Sequence, residues 1–354
     1  MFTFTVRGRA VSFERDHTDI KQAKNTPNDL ASKNMEEKMV KYALQRIALM
    51  LFTLTVITFI CFVLIRMLPL PSLPAGDPHT QNILNRREAL GYNKPYLVQF
   101  GIFVKAVFTR WDWGISEGRY FGQEVAKVFV SKLPATMLLN LYSIVLSIPI
   151  GIALGIWAAL KKNKLTDHLI STLTMLVISV PSFVYAFLIQ YILSYKLGWF
   201  PFLMKDTNYF EWETFWSMIP AVLSLSFGVI AGFTRGTRAE LTEVLTSEYM
   251  LLARTKGLTK VQATVRHAMK NCMVVILPSI FGEFIGIMSG SLIIEGIFNV
   301  PGVGSLYLDS ITRRDYPMFT ILTVFYTAVG LLAGIIVDIS YGFIDPRIRM
   351  GSKK

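Results

Sequence analysis

The 354-residue chain carries no G-x-x-x-x-G-K-[ST] phosphate loop, no H-E-x-x-H and no C-x-x-C pair. The first absence argues against ATP hydrolysis by this chain, and the other two remove the commonest zinc and redox motifs. Cysteine is scarce. Cys61 and Cys272 both fall in or beside apolar runs, which suits buried small side chains better than a disulfide. The four histidines, His17, His79, His168 and His267, stand far apart in sequence. His267 reads as a packing or hydrogen-bonding group rather than a general base. Charge is sparse as well: 17% of residues are Asp, Glu, Lys or Arg, against 52% hydrophobic. A soluble domain would carry about 25% charged residues.

What is present is apolar sequence gathered into blocks. Ile47–Ile65, Pro134–Leu160, Leu169–Tyr195, Thr214–Thr234 and Tyr316–Val337 carry no charge, and Asn271–Ile294 carries one, Glu283. Each reaches the roughly 20 residues that a spanning helix needs. They are too long and too continuously apolar for barrel strands, and lipid leaves helices as the other solution. The expected fold is therefore an all-α integral membrane protein with six transmembrane helices, at about 45–67, 134–160, 169–195, 214–236, 271–297 and 316–343.

The net charge of +12 could suggest nucleic acid, but the positions of the basic residues say otherwise. Nine Lys and Arg precede the first span, three lie between the second and third, seven between the fourth and fifth, and four after Val337. The short alternate loops hold two each, Lys196 with Lys205 and Arg313 with Arg314. By the positive-inside rule both termini face the cytoplasm, and the long first loop, 68–133, faces outward. That loop contains "GYNKPYLVQFGIFVKAVFTRWDWG", read as one or two amphipathic helices near the outer interface, with the tryptophans suited to an aromatic belt. Residues 1–38 form a polar N-terminal cytoplasmic extension that lacks the pattern of a secretory signal. Within it "FTFTVRGRAVSF" alternates like a short hairpin.

The loop 246–271 is the least expected feature. It is polar and basic, yet sits between two spans. Gly257 divides it into two helices: Thr246 or Ser247 caps the first, and Thr259-x-x-Gln262 is a capping box for the second. Val261, Val265 and Ala268 are expected to form the second helix's apolar stripe, with the pair of helices lying against the cytoplasmic membrane face. A solvated connector is the plain alternative. Against it, Tyr249, Met250, Leu251 and Leu252 form a nearly all-round apolar patch, and such patches mark partners.

The stretch "SEYMLLARTKGLTKVQATVRHAMKN" resembles the coupling loop, or EAA loop, of ABC importer permeases. Glu248, Ala253 and Gly257 match its acid, small residue and glycine. His267, Ala268, Lys270 and Asn271 match the His-Ala-x-Arg/Lys-Asn run of the peptide and nickel branch. Tyr249 and Met250 depart from the general alanines. "MVKYALQRI", "AGDP", "LGYNKPYLVQF", "KLPATMLLNL", "SVPSFV", "IIEGIFNVPGVGSLYLDSITRRDYP" and "DPRIR" resemble other parts of that branch, so the likeness covers about residues 39–349. The chain looks like the first permease subunit of an oligopeptide or dipeptide importer.

The resemblance implies a type I ABC importer permease fold and a non-catalytic membrane subunit without a cofactor of its own. ATP and Mg would be bound by two partner ATPase subunits. A second permease subunit and an extracytoplasmic peptide-binding protein complete the implied assembly, in membrane lipid and without nucleic acid. The implied location is a bacterial or archaeal plasma membrane. Glu248, Tyr249, Leu252, Ala253, Gly257, His267 and Asn271 would receive ATPase motion. Glu283 is the one acid inside a span, where a charge costs about 2.5–3.5 kcal/mol on insertion scales, so it is a candidate for the translocation pathway. Glu295, expected at the outer end of the same helix, is a candidate gate or a solvated interfacial acid. Pro181 is a candidate kink on the pathway, and "SLSFG" and "GEFIGIMSGS" suggest close helix packing. Nickel, haem or another small solute is the alternative cargo. An ATP-independent channel or an intramembrane enzyme is the rival from another class.

Overall fold

The computed structural model describes residues 4–6, 9–11, 27–205, 211–286 and 291–344. His17, the tail "DPRIR" and residues 287–290 of "GEFIGIMSGS" lie outside the described residues. The chain divides into two compact units, Met1–Leu49 and Met50–Lys354.

The first unit contains the expected hairpin. Strand β1 (Phe4–Val6) pairs antiparallel with β2 (Arg9–Val11), with Phe4 opposite Val11 and Val6 opposite Arg9. Helix α1 (Pro27–Arg66) begins in this unit, and its apolar part runs from Leu44 to Arg66.

The second unit is a helical bundle. After α1 come α2 (Pro78–Ala89) and α3 (Tyr96–Arg110), two helices within the long first loop. Asp77 caps α2 by accepting the His79 N–H at 2.8 Å, and Pro78 sits at its first turn, where its missing N–H costs nothing. Helix α4 (Val125–Leu160) begins nine residues before the expected span and is about 54 Å long by helical rise. Then follow α5 (Leu165–Ser179), α6 (Ser182–Ile189) continued by a π-helical turn to Lys196, and α7 (Trp212–Leu245).

The remaining helices are α8 (Glu248–Thr255), α9 (Lys260–Ala263), α10 (Met269–Gly286), α11 (Leu292–Ile297), α12 (Val303–Thr312) and α13 (Tyr316–Ile344). A π-helical turn, Thr264–Ala268, joins α9 to α10.

Among the described residues, five helices are long and apolar enough to cross a membrane, and a sixth span results if the bent pair α5–α6 counts as one. The span expected as one helix over 169–195 is therefore corrected. It bends by 101° at Val180–Pro181. Pro181 has no N–H for the helix ladder and its ring drives Val180 into extended backbone, φ −93° and ψ 128°. Pro134, Pro149, Pro220 and Pro278 instead lie inside helices that continue through them. The fifth span is corrected too: α10 is described to Gly286, and Glu295 belongs to the separate helix α11, capped by the Ser291 hydroxyl.

The bundle is organised on α4 against α7. Gly151 and Gly155 let the two backbones meet. A Cβ on Gly155 would lie 2.6 Å from Thr237 Cβ and 2.8 Å from the Thr234 carbonyl oxygen. Thr234 donates its hydroxyl to the Gly151 carbonyl at 3.2 Å, and the Ser143 and Ser226 hydroxyls meet at 3.1 Å. Small residues are what a lipid-immersed interface uses, because close packing and hydrogen bonds replace the missing hydrophobic drive. "SLSFG" serves this packing through buried Ser224 and Ser226. Arg238 of α7 grips Asp167 of α5 with both ends of its guanidinium, at 2.5 and 2.9 Å, and so ties a third helix to the pair. Cys61 and Cys272 are free thiols, half-buried and buried.

Gly155→Leu should separate α4 from α7 and cost about 1–3 kcal/mol, the usual penalty of overpacking. Gly330→Ala, where the added carbon meets open space, should be neutral or slightly stabilising. Thermal unfolding of the purified protein in one detergent would show the contrast, and equal midpoints would contradict this account of the interface.

Candidate functional site

The loop 246–271 is built by its own local chemistry. Helix α8 ends in a paired set of bonds: the Gly257 N–H donates to the Arg254 carbonyl at 3.0 Å and the Leu258 N–H to the Ala253 carbonyl at 3.4 Å. That Schellman pattern needs a left-handed residue, and Gly257 has φ +89°. The capping box then forms as expected. The Thr259 N–H donates to Gln262 Oε1 at 3.1 Å, while the Gln262 N–H donates to Thr259 Oγ1 at 3.3 Å. Ser247 takes the cap position of α8, but its hydroxyl donates back to the Val244 carbonyl at 2.6 Å instead of capping.

The packing corrects two expectations. The patch on α8 is not all-round: Met250 and Ala253 are buried against Leu241, Val244, Ala263, Ala268 and Cys272. Tyr249, Leu251 and Leu252 face out, the leucines 65% and 56% exposed. On the following segment the inward side is Ala263, Thr264 and Ala268, whereas Val261 and Val265 are 72% and 63% exposed. The small side chains of Ala263 and Ala268 take the interior positions and are fully buried. The second helix also does not stop at the loop. Val261 to Gly286 runs on as one span-length helix.

Of the candidate coupling residues, Glu248, Tyr249, Leu252, Gly257, His267 and Asn271 are exposed and Ala253 is buried. The loop packs at the C-terminal ends of α4 and α7, through Ala159 and Val244. The other candidates lie elsewhere. Pro181 heads α6 at the break described above. Glu283 lines a cavity between α7 and α10.

Glu295 sits toward the N-terminal end of α4 and is fully buried, which overturns the reading of a solvated interfacial acid. Its carboxylate accepts the Thr136 hydroxyl at 2.9 Å and the N–H groups of Gly304 and Ser305 at 2.8 and 3.4 Å. Thr136 Oγ1 in turn accepts the Val303 N–H at 2.8 Å. The first N–H groups of α12 are thereby satisfied by one carboxylate and one hydroxyl. Gly302 and Gly304 are needed for contact, since a Cβ on Gly302 would collide with both Glu295 and Thr136. The sequence motif contained Glu295, Gly302 and Gly304, but nothing in it pointed to Thr136, 159 positions before the acid.

A second polar cluster braces the first loop at that end of the bundle. Arg87 pairs with Glu117 at 2.6 Å, Arg86 with Asp112 at 2.5 Å, and Asp315 accepts the Ser116 hydroxyl and the Gly118 N–H. Burial pushes the Glu117 and Asp315 carboxyls above the ordinary range, and the Arg87 guanidinium and the Ser116 hydroxyl respectively pull against it.

In Gly257→Val the left-handed backbone becomes strained by about 1–2 kcal/mol although nothing blocks the side chain. Thr259→Ala removes the cap, at roughly 1 kcal/mol. Hydrogen exchange should quicken at the amides of Leu258 and Gln262 in both variants and stay unchanged along α4; protection equal to the parent protein would contradict this description.

Residues 151–350 match the family described as binding-protein-dependent transport system inner membrane component. The dipeptide transport system permease of Lactococcus lactis is 35% identical over 314 residues, covering 88% of this chain and 100% of that protein. The Bacillus subtilis dipeptide permease is 30% identical over 318 residues, 89% of this chain and all of its own length. The glutathione transport system permease of Salmonella typhimurium is 31% identical over 322 residues, 88% of this chain and 99% of that one. A helical bundle of five or six span-length helices with a glycine-hinged loop between two of them, matched along this length, belongs to the family of binding-protein-dependent transport system inner membrane components.

Proposed function

We propose that this chain is a permease subunit of an ATP-driven peptide importer, forming half of the translocation pathway. The observation that carries the reading is the end-to-end match to a dipeptide permease, 35% identical over that protein's full length. Its cargo is a peptide, a class that also includes the glutathione named for the Salmonella relative.

The loop 246–271 receives the ATPases in the cytoplasm, with both termini on that side. Two features support this. The basic residues concentrate there, and Tyr249, Leu251 and Leu252 stand out as an apolar knob that no described residue of the chain covers. Two ATP-binding cassette subunits bind the nucleotide and Mg and, on closing, move that knob. Because α8 is locked to α9 by buried Met250 and Ala253, the knob moves as a unit. Because Val261 to Gly286 is one helix, its displacement reaches the membrane interior, rocking the bundle between inward-open and outward-open states. The polar-clamped loops at the far end of α4 face the extracytoplasmic binding protein, and a second permease subunit completes the pathway.

Leu252→Glu places a charge on the knob without disturbing the fold, since Leu252 is exposed. Co-purification of the ATPase subunits with this chain should fall at least tenfold, equivalent to about 1.4 kcal/mol. The second permease should still co-purify. Full retention of the ATPases would remove the docking role, and recovery of no P-loop ATPase with the parent chain would remove the importer reading.

A further inference from the structure

The cavity between α7 and α10 contains chemistry that neither packing nor coupling uses. Its volume is about 340 Å³, within the range of small-ligand sites. One wall is a row of three glycines, Gly228, Gly232 and Gly236, spaced four apart on α7 over about 12 Å. Among the described residues the row is not a helix contact. An added Cβ on Gly232 or Gly236 would meet nothing within 4 Å, and on Gly228 only the Tyr185 hydroxyl at 3.5 Å. This sets it apart from Gly151 and Gly155, which are filled by the neighbouring backbone.

The facing wall is α10, where Val275, Ser279 and Glu283 stand one turn apart on one face. Glu283 has no hydrogen-bond or ion-pair partner among the described residues. No basic residue among the described ones lines the cavity. A carboxylate at membrane depth needs a positive partner or a proton, and no described residue supplies the positive partner. A bare metal ion is a poor fit: hard cations take six or more oxygens, and the cavity offers one carboxylate and one hydroxyl. An ammonium needs about three acceptors, and Glu283 with Ser279 and a water or a cargo carbonyl can supply them.

We propose that this cavity is a cargo subsite in which Glu283 takes the ammonium of a passing peptide while the glycine row accommodates its backbone. The inference rests on the peptide-import reading above. A peptide with a free N-terminus carries an α-ammonium whatever its sequence, so a single acid reads a feature common to such cargo. The bare glycine wall imposes no side-chain preference. A helix of the second permease subunit is the competing occupant, and it would bury the row.

The test uses the complete transporter in lipid vesicles. Ser279→Cys is introduced in a chain whose Cys61 and Cys272 are alanine. Labelling rates are compared for a cationic and an anionic thiosulfonate of similar size, each normalised to its rate with a free small thiol. We expect the cationic reagent to win by about tenfold. Glu283→Gln should bring the ratio near one, and Glu283→Asp should keep it. A dipeptide in excess should slow labelling, and the same dipeptide with an acetylated amino group should not.

No labelling by either reagent would mean that protein or lipid fills the cavity and would overturn the proposal. Equal rates, or a preference that survives Glu283→Gln, would overturn it as well. Dipeptide uptake measured in matched vesicles that carry the parent chain separates the two readings. Uptake without protection by the dipeptide sinks the subsite and leaves peptide import standing. Charge-selective labelling and protection without uptake does the reverse.

Discussion

The approach of α4 to α7 is the contact on which the rest of the bundle is hung. Two glycines on one helix let backbone carbonyls and threonine side chains of the other come within van der Waals contact. In lipid, apolar side chains gain nothing by leaving the solvent, so this proximity and its hydroxyl hydrogen bonds do the work that a hydrophobic core does in water. Both ends of the pair then serve as mounting points. At the C-terminal ends α8 and α9 are seated on Ala159, Leu241 and Val244. At the N-terminal end of α4, Val125, Val128 and Phe129 meet α12 and α13 through Val303, Leu306, Met318 and Leu322. The loop 246–271 and the clamped α11–α12 segment are thus attached to opposite ends of one rigid member.

The two ends are built differently. The loop 246–271 is held by backbone-local devices, a left-handed glycine and a reciprocal cap, and needs few distant residues to take its shape. The opposite end depends on buried polar groups far apart in sequence: Glu295 with Thr136, Asp315 with Ser116, Arg87 with Glu117. Local devices set an angle between two helices. Long-range buried hydrogen bonds fix a position in space, because each leaves an expensive unsatisfied group if the parts drift.

This difference also explains what the sequence made legible. The spans were visible because lipid demands runs of apolar residues, and the Gly257 turn and the Thr259–Gln262 cap were visible because their signals lie within a few positions. Which face of α8 and α9 points inward was not. Periodicity shows that a stripe exists, but not that small Ala263 and Ala268 displace Val261 and Val265 from the interior. Pro181 was flagged as a kink, yet a proline inside α4 and one at the α5–α6 break read alike in one dimension. The role of Glu295 was hidden for the same reason as any tertiary contact, since its partner lies on another helix.

The clamp on Glu295 has one more property. It holds α12 through backbone N–H groups and requires only that positions 302 and 304 lack side chains. The exposed residues of α12 and its C-terminal end, Leu308, Ile311 and Arg313 among them, contribute no side-chain hydrogen bond to this anchorage. Face and frame are therefore separable: the surface that this loop presents can be rewritten, residue by residue, while the scaffold that carries it keeps its place.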